Sequence, residues 1–235
     1  MWLPSFIRRQ LKWRSIVRFY SEMIQDGDLC FDIGANVGER VKVFRKLNGQ
    51  VIAVDPDHQN TQALHTSYGT DSMVHIVPKA VGDVIGEAMF YRCQETSECS
   101  TLSERFKEQY GEDNMLHWDE GKAVPVVTLD SLINEYGLPH FCKIDVEGYE
   151  VNVLSGLTTP IRILSFEFNR RMMEETQEAL RIVGDLGPYR CNFIAYETMK
   201  FLLDGWVSTS GMVDMLSHED YINILTGEVF CMLKD

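Results

Sequence analysis

Short apolar runs alternate with helix-patterned stretches from residue 28 onward, and this alternation limits the fold more than any other feature of the chain. The apolar runs predict strands at residues 29–33, 51–54, 74–77, 124–127, 141–146, 161–168, 192–196 and 229–233. The stretches between them predict helices at residues 37–47, 59–68, 129–136, 151–155 and 171–183. Residues 88–91 are expected to return as one arm of a hairpin. Strands that alternate with helices favour a mostly parallel sheet covered on both faces, a doubly wound α/β fold.

Two segments depart from this pattern. Residues 1–25 carry a charge of +4, and their apolar side chains fall on one helical face, at Trp2, Phe6, Trp13, Ile16, Val17, Tyr20 and Ile24. We expect an amphipathic helix that either contacts an anionic membrane or docks on the domain formed by residues 26–235, and we favour docking because it is the commoner arrangement. Residues 93–122 are polar and form a predicted insertion, of a kind that often carries function in α/β domains.

Composition narrows the function classes. The chain has 22 lysines and arginines against 35 aspartates and glutamates, a net charge of −13. This balance argues against nucleic acid as a partner, because phosphates are bound by lysine and arginine. Six cysteines without a CxxC pair predict reduced thiols in a cytoplasmic protein. The six histidines show no metal-ligand spacing, so no metal site is predicted.

The most informative local feature is a glycine turn that lies where the first strand should pass into the first helix. It reads Phe31-Asp32-Ile33-Gly34-Ala35-Asn36-Val37-Gly38. Gly34 permits a tight turn without a Cβ that would block a ligand, and Gly38 lets the helix start close to the strand. Asp55 follows Asp32 by 23 residues, at the end of the second predicted strand. An acid at that distance can accept both hydroxyls of an adenosine ribose.

Three interpretations of this turn are open. A dinucleotide is expected to need G-x-G-x-x-G, whereas Asn36 stands here in place of the middle glycine. S-adenosylmethionine has an ammonium, a carboxylate and a cationic sulfonium but no phosphate, so it suits an acid before the turn better. The third interpretation is a glycine turn that binds nothing.

Several ordered segments resemble the FkbM-type methyltransferases. They are residues 32–38, Asp55-Pro56, residues 80–83, Ser100-Thr101-Leu102, residues 124–130 and residues 143–150. The resemblance implies a class I, Rossmann-like fold with a seven-stranded sheet, and transfer of a methyl group from S-adenosylmethionine to a hydroxyl of a sugar, glycolipid or secondary metabolite. Carried over by position, the cofactor-binding residues are Asp32, Gly34, Ala35, Asn36, Gly38, Asp55, Pro56, Ala80 and Val81.

An aliphatic hydroxyl is a poor nucleophile at neutral pH, so a general base is expected near the cofactor. The catalytic candidates are Asp145, Glu147 and Glu167, which end or follow predicted strands. Gathered carboxylates raise one another's pKa, which suits a base. Glu150 is expected mainly to cap the following helix, and Lys143 to pair with Asp145 or to lie extended as a structural lysine.

Weaker candidates and competing functions remain at this stage. His117-Trp118 is more simply a surface pair than a catalytic one, and residues 205–211 either border an acceptor site or form a turn. The alternatives to a methyltransferase are a cofactor-binding module without catalysis, docked on a membrane by its first helix, and a nicotinamide-dependent oxidoreductase.

Overall fold

The computed structural model describes residues 5–111 and 116–234, apart from the side chains of Ser5, Phe6 and Arg8. Its strands are β1 Leu29–Ile33, β2 Gln50–Val54, β3 Val74–Val77, β4 Ala80–Val81, β5 Gly86–Phe90, β6 Lys122–Val127, β7 Phe141–Ile144, β8 Ile163–Asn169, β9 Tyr189–Ala195, β10 Val207–Ser208 and β11 Thr226–Leu233. Its α-helices are α1 Ser5–Tyr20, α2 Glu39–Lys46, α3 His58–Tyr68, α4 Glu104–Gly111, α5 Leu129–Tyr136, α6 Glu150–Ser155, α7 Met173–Leu186 and α8 Thr209–Ser217. Single 3₁₀ turns lie at Ser97–Cys99 and Arg170–Met172.

The main sheet has the strand order β10-β9-β11-β8-β7-β1-β2-β3. Strands β3, β2, β1, β7 and β8 are parallel, and β11 runs antiparallel to both β8 and β9. The predicted mostly parallel α/β fold is therefore confirmed. The predicted count of seven strands is not, because the two-residue strand β10 adds an eighth at the edge beside β9.

Helices cover both faces of this sheet, as the buried runs of its strands require. One face packs Phe31, Phe166 and Phe168 against α5, α6, α7 and α8. The opposite face packs Phe141 and Phe230 against α1, α2 and α3. The helix starts are set locally, for example by the Thr128 hydroxyl, which accepts a hydrogen bond from the Ser131 amide in a reciprocal capping box at α5.

The hairpin predicted at residues 88–91 is wrong, because β5 does not pair with the strand that precedes it in the chain. Strand β5 pairs antiparallel with β6, and β6 pairs parallel with β4, so the three form a separate small sheet. Residues 124–127, predicted as the strand before the helix at residues 129–136, belong to that sheet. Local alternation predicts a strand but not a partner more than 30 residues away, across the polar insertion.

The N-terminal helix docks on the domain. Ile16, Phe19 and Tyr20 are buried, and Phe19 contacts Phe201 and Phe230 through tilted and edge-to-face ring packing. Trp2 and the side chain of Phe6, assigned to the same apolar face, lie outside the described residues. No helix within the described ranges is both long and apolar enough to cross a bilayer.

Candidate active site

A cavity of about 580 Å³ opens at the carboxyl ends of the parallel strands. It lies beside β1 and β7, the neighbouring strands from which the chain winds in opposite directions, and ligands of doubly wound folds bind at such a switch point. The volume falls within the range of small-molecule sites. Nine of the twelve predicted site residues line it. They are Asp32, Gly34, Ala35, Asn36, Asp55, Pro56, Asp145, Glu147 and Glu167.

The glycine turn is built around Gly34, for a reason the sequence does not give. Its φ is +83°, and a Cβ there would lie 1.8 Å from the backbone oxygen of Asp145. The glycine therefore allows the end of β1 to pass under the loop after β7. It also lines the cavity, and the clearance it gives a ligand stays a prediction. Amides of Gly34 and Ala35 donate to the Val54 carbonyl, at 2.9 and 3.0 Å, which fixes the turn against β2.

Asp55 organises the same turn from the end of β2. Its Oδ2 accepts a hydrogen bond from the Asn36 amide at 2.8 Å, and its Oδ1 accepts from the Asp57 amide at 2.8 Å and from Asn60 at 3.2 Å. A carboxylate offers about four acceptor positions, so about one remains. Asp55 therefore has an acceptor position for one ribose hydroxyl, whereas the sequence predicted that it could accept both. Burial raises the pKa of Asp55 to about 6, although these hydrogen bonds lower it.

Gly38 does not line the cavity. It is the N-cap of α2 with φ +90°, and a Cβ there would lie 2.7 Å from Leu64 and 2.9 Å from Tyr68. The close approach is therefore to helix α3, not to the strand as predicted. Glu39 then begins α2 and lines the cavity. A carboxylate at this helix start disfavours a pyrophosphate there, which counts against the nicotinamide alternative.

Asp32 lines the cavity from the end of β1. It is 1% exposed, and its Oδ2 has no hydrogen-bond partner within the described part of the chain. Burial raises the pKa of Asp32 to about 6, although Lys143 and Arg40 lower it. A buried carboxylate oxygen without a donor is costly, so this position is suited to a cationic ligand.

Lys143 is the ion-pair partner of Asp145, which was one of the two roles predicted for this lysine. Its Nζ lies 2.5 Å from Asp145 Oδ2, and the lysine is only 4% exposed. Burial lowers the pKa of Lys143, but Asp145 and Glu228 outweigh burial and raise it. The lysine therefore stays charged and offsets part of the negative charge of the cavity.

Three carboxylates meet at the inner wall. Asp145, Glu147 and Glu167 each contribute an oxygen, and these oxygens lie within 4.8 Å of one another. Glu147 has φ +54°, a left-handed conformation held by its carbonyl, which accepts a hydrogen bond from Thr101 Oγ1 at 2.7 Å. Burial, together with neighbouring carboxylates, raises the pKa of both Glu147 and Glu167 well above the usual range. The sequence predicts these three residues as a group, and the structure brings them together.

Glu150 has a structural place next to this group. Its Oε1 accepts hydrogen bonds from the amides of Val146 and Gly148, at 3.1 and 3.4 Å. It thus holds the loop before α6, and it is also the acid in the first turn of that helix, as predicted. Burial raises the pKa of Glu150 to about 7.

Other residues that the sequence singled out lie away from the cavity. Ala80 and Val81 form β4 of the small sheet and are buried there, so neither lines the cavity. His117 contacts Glu95, and the Trp118 indole donates to the Cys99 carbonyl at 2.9 Å, both within the polar insertion. Residues 205–211 contain β10 and the start of α8, and none of them is among the residues that line the cavity.

The walls also contain residues that the sequence analysis did not identify. Lys12 of α1 and Arg40 of α2 both pair with Glu197, at 2.5 and 3.0 Å. Glu228 lies on β11 directly opposite Glu167. Ser97 of the polar insertion donates to the Asn36 side chain at 3.0 Å, so the insertion borders the cavity. Two of these residues left a sequence signal: Glu228 is an acid beside an apolar run, and Ser97 lies in the polar insertion, of a kind that often carries function.

The residues present fit S-adenosylmethionine. The unpartnered Asp32 oxygen suits its cationic groups, and Asp55 retains an acceptor position for a ribose hydroxyl. Three residues would hold it: Asp32 near the end of β1, Asn36 on the turn that joins β1 and α2, and Asp55 directly after β2.

Comparison with known proteins gives the family. The family model described as the methyltransferase FkbM domain matches residues 32–222. A search of curated proteins finds no match.

Solved structures resemble this chain at low sequence identity. Precorrin-6Y C5,15-methyltransferase from Geobacter metallireducens GS-15 is 10% identical with a TM-score of 0.50, over 94% of this chain and 86% of that one. A TehB-like S-adenosylmethionine-dependent methyltransferase from Corynebacterium glutamicum is 10% identical with a TM-score of 0.47, over 97% and 96%. Aeropyrum pernix fibrillarin, with natively bound S-adenosylmethionine, is 10% identical with a TM-score of 0.48, over 94% and 76%. At this identity the likeness to the precorrin enzyme supports the fold alone. Because the matched domain spans most of the sequence, the chain belongs to the FkbM methyltransferase family and is an S-adenosylmethionine-dependent methyltransferase.

Proposed function

We propose that this enzyme methylates a hydroxyl group of a sugar, a glycolipid or a small secondary metabolite. The observation that supports this most is the meeting of Asp145, Glu147 and Glu167 at the inner wall of the cavity. Transfer to a hydroxyl needs a group that takes its proton, and a carboxylate beside the reacting oxygen can do so.

Glu147 and Glu167 are the candidates for this base. Burial and neighbouring carboxylates raise the pKa of each, which brings a carboxylate closer to the pH at which it works as a base. When bound, S-adenosylmethionine would supply an electrophilic methyl carbon to the acceptor oxygen, and one of the two glutamates would take the hydroxyl proton. Asp145, held by Lys143, orients the acceptor beside the two glutamates. Ser97, Glu98 and Ser100 of the polar insertion line the same cavity.

The charge of the cavity favours a small, phosphate-free acceptor. Nine acidic side chains line it, against three cationic ones from Lys12, Arg40 and Lys143. All three cations are already paired with carboxylates. Nucleic acid and other phosphorylated acceptors would meet repulsion here, so we exclude them from the proposal.

We propose that the N-terminal helix α1 forms part of the active-site wall. Lys12 lines the cavity and pairs with Glu197, which ties the helix to the wall. We therefore expect Lys12→Ala, which keeps the buried face of the helix, to impair catalysis and to leave association with anionic liposomes unchanged. A loss of liposome association would support the membrane alternative instead. A cytoplasmic location remains a prediction.

The test is transfer of a labelled methyl group to a panel of hydroxylated sugars and small metabolites. Glu167→Gln and Glu147→Gln should lower kcat strongly, by about 10²-fold or more, while affinity for S-adenosylhomocysteine is kept. Glu174→Gln serves as the matched control, because that carboxylate is exposed and pairs with Arg105 away from the cavity. Methylation of an amine instead of a hydroxyl, or full activity in both glutamine variants, would contradict the proposal.

A further inference from the structure

The guanidinium of Arg40 lines the cavity with most of its hydrogen-bonding capacity unused. Arg40 is the second residue of α2, and its side chain is only 14% exposed. A guanidinium carries N–H donors on each of its nitrogens. Within the described residues Arg40 donates one hydrogen bond, from Nη2 to Glu197 at 3.0 Å, and its buried Nε has no partner. Unused donors that are buried this far are costly, so the side chain is suited to an acceptor that the protein itself does not supply.

Asp32 brings the opposite charge to the same cavity, yet the two side chains do not pair. Glu197 is the ion-pair partner of Arg40, at 3.0 Å. Asp32 has no ion-pair partner in residues 5–111 and 116–234, and its Oδ2 accepts no hydrogen bond there. Burial raises the pKa of Asp32, and the nearby charges of Lys143 and Arg40 lower it. The cavity therefore contains a buried carboxylate and a buried guanidinium that are near each other and are not paired with each other.

An α-amino acid group complements these two side chains, because it carries an ammonium and a carboxylate on the same carbon. S-adenosylmethionine ends in such a group. The unpartnered oxygen of Asp32 suits the ammonium. A guanidinium such as that of Arg40 binds a carboxylate through two parallel hydrogen bonds. The two charges at this end of the ligand therefore match the two charges in the cavity.

Other donors that could hold a ligand carboxylate near the glycine turn are already in use. The backbone amides of residues 34–36 all donate within the protein. Lys143 is bound to a carboxylate of the inner wall at 2.5 Å. Lys12 is 59% exposed, so its ammonium is largely hydrated as well as paired. Arg40 is therefore the buried cation of the cavity that has donors left for a ligand.

We infer that Arg40 binds the carboxylate at the methionine end of S-adenosylmethionine and makes the cavity selective for ligands with an intact α-amino acid group. The inference concerns the cofactor of the family and is independent of which acceptor is methylated. Glu197 holds one nitrogen of the guanidinium, and Lys12 of α1 holds Glu197, so the side chain is fixed before the ligand binds. A ligand held by both groups of its amino acid end is oriented in the cavity, as methyl transfer requires.

The test is calorimetric titration of the full chain with ligands that differ at the amino acid end. S-adenosylhomocysteine carries both charged groups, its decarboxylated analogue keeps the ammonium alone, and methylthioadenosine has neither. We compare wild type with Arg40→Gln, which removes the charge, and with Arg40→Lys, which keeps the charge but not the planar fork. Lys42→Gln is the matched control, because this exposed lysine of the same helix lies over the Trp13 ring and is not among the residues that line the cavity. Melting curves report whether each protein is folded.

Wild type and Lys42→Gln should bind S-adenosylhomocysteine about tenfold or more tightly than the decarboxylated analogue. Arg40→Gln should remove most of this difference, by weakening S-adenosylhomocysteine while methylthioadenosine binds as it does to wild type. Arg40→Lys should reduce the difference in the same direction, and it decides the outcome if Arg40→Gln does not fold.

The results that would overturn the inference are the absence of this difference in wild type and an undiminished difference in the folded Arg40 variants. Either result, with S-adenosylhomocysteine still bound, refutes the role of Arg40 and leaves the proposed methylation of a hydroxyl standing. Failure of wild type to bind S-adenosylhomocysteine would refute the cofactor site itself, and with it both proposals.

Discussion

Asp32→Asn should change the pH dependence of stability in a way that can be calculated from the structure. The carboxyl is 1% exposed with one oxygen unpartnered, and burial raises its pKa from the ordinary 3.8 to about 6. The folded state therefore holds this proton to a higher pH than the unfolded state does. Stability contributed by the protonated form is present below about pH 4 and is lost as the pH rises through about 6.

The magnitude follows from the difference between the two pKa values. A pKa raised from 3.8 to about 6 corresponds to about 3 kcal/mol of stability lost by pH 7.5 relative to pH 3.5. Asparagine does not ionise, so the variant avoids this loss. Any cost of burying the amide is nearly independent of pH and affects both conditions equally.

The assay is urea unfolding of wild type and Asp32→Asn at a series of pH values from 4 to 8. We expect the stability of the variant relative to wild type to rise with pH by about 2–3 kcal/mol over this range. Affinity for S-adenosylhomocysteine should fall by about tenfold at pH 7.5, since a charge-assisted contact is removed. A stability difference that is flat with pH, or that falls as pH rises, would refute the assignment of Asp32 as a buried carboxylate without a partner.

Three further predictions concern the parts of the structure around the site. Gly34→Ala should destabilise the protein by about 3 kcal/mol or more in chemical unfolding, because a Cβ would collide with the Asp145 oxygen at a positive φ; a loss under about 1 kcal/mol would argue against this close approach. Phe19→Ala should cost about 3–5 kcal/mol, as for a buried ring, if α1 docks as described, whereas a surface helix would show almost no change. Tyr189→Phe should cost about 1–3 kcal/mol in the same assay, since its hydroxyl both accepts from the Ile161 amide and donates to the Ile161 carbonyl; an unchanged midpoint would contradict that pair of bonds.

The sequence predicts most of the main sheet because its strands carry their own signals. Residues 29–33 and 74–77 are strands with the predicted bounds, and the apolar runs of β7 and β8 are shifted by two residues at most. Partner choice is different, because it depends on contacts between distant segments. The small sheet of β4, β5 and β6 and the edge strand β10 follow from such contacts, and local periodicity contains no information about them.

The sequence predicts the site residues that lie on one local motif. It does not predict those that distant elements bring to the cavity. Asp32, Asn36 and Asp55 lie on one turn and one strand end, so spacing alone brings them to the same cavity. Lys12 and Glu197 come from opposite ends of the chain and meet only because α1 docks beside the sheet. The reason for the glycine at position 34 was also hidden, since the group it avoids is the Asp145 carbonyl, more than 100 residues away.

The central claim is that the cavity at the ends of β1, β2 and β7 binds S-adenosylmethionine through Asp32 and Asp55. Its most direct test is calorimetric titration of the full chain with S-adenosylhomocysteine, with NADH as the competing ligand, in wild type, Asp55→Ala and Asp32→Ala. We expect saturable binding of S-adenosylhomocysteine to wild type, about tenfold or greater weakening in each variant, and no binding of NADH. Unchanged affinity in both variants, or saturable binding of NADH alone, would contradict it.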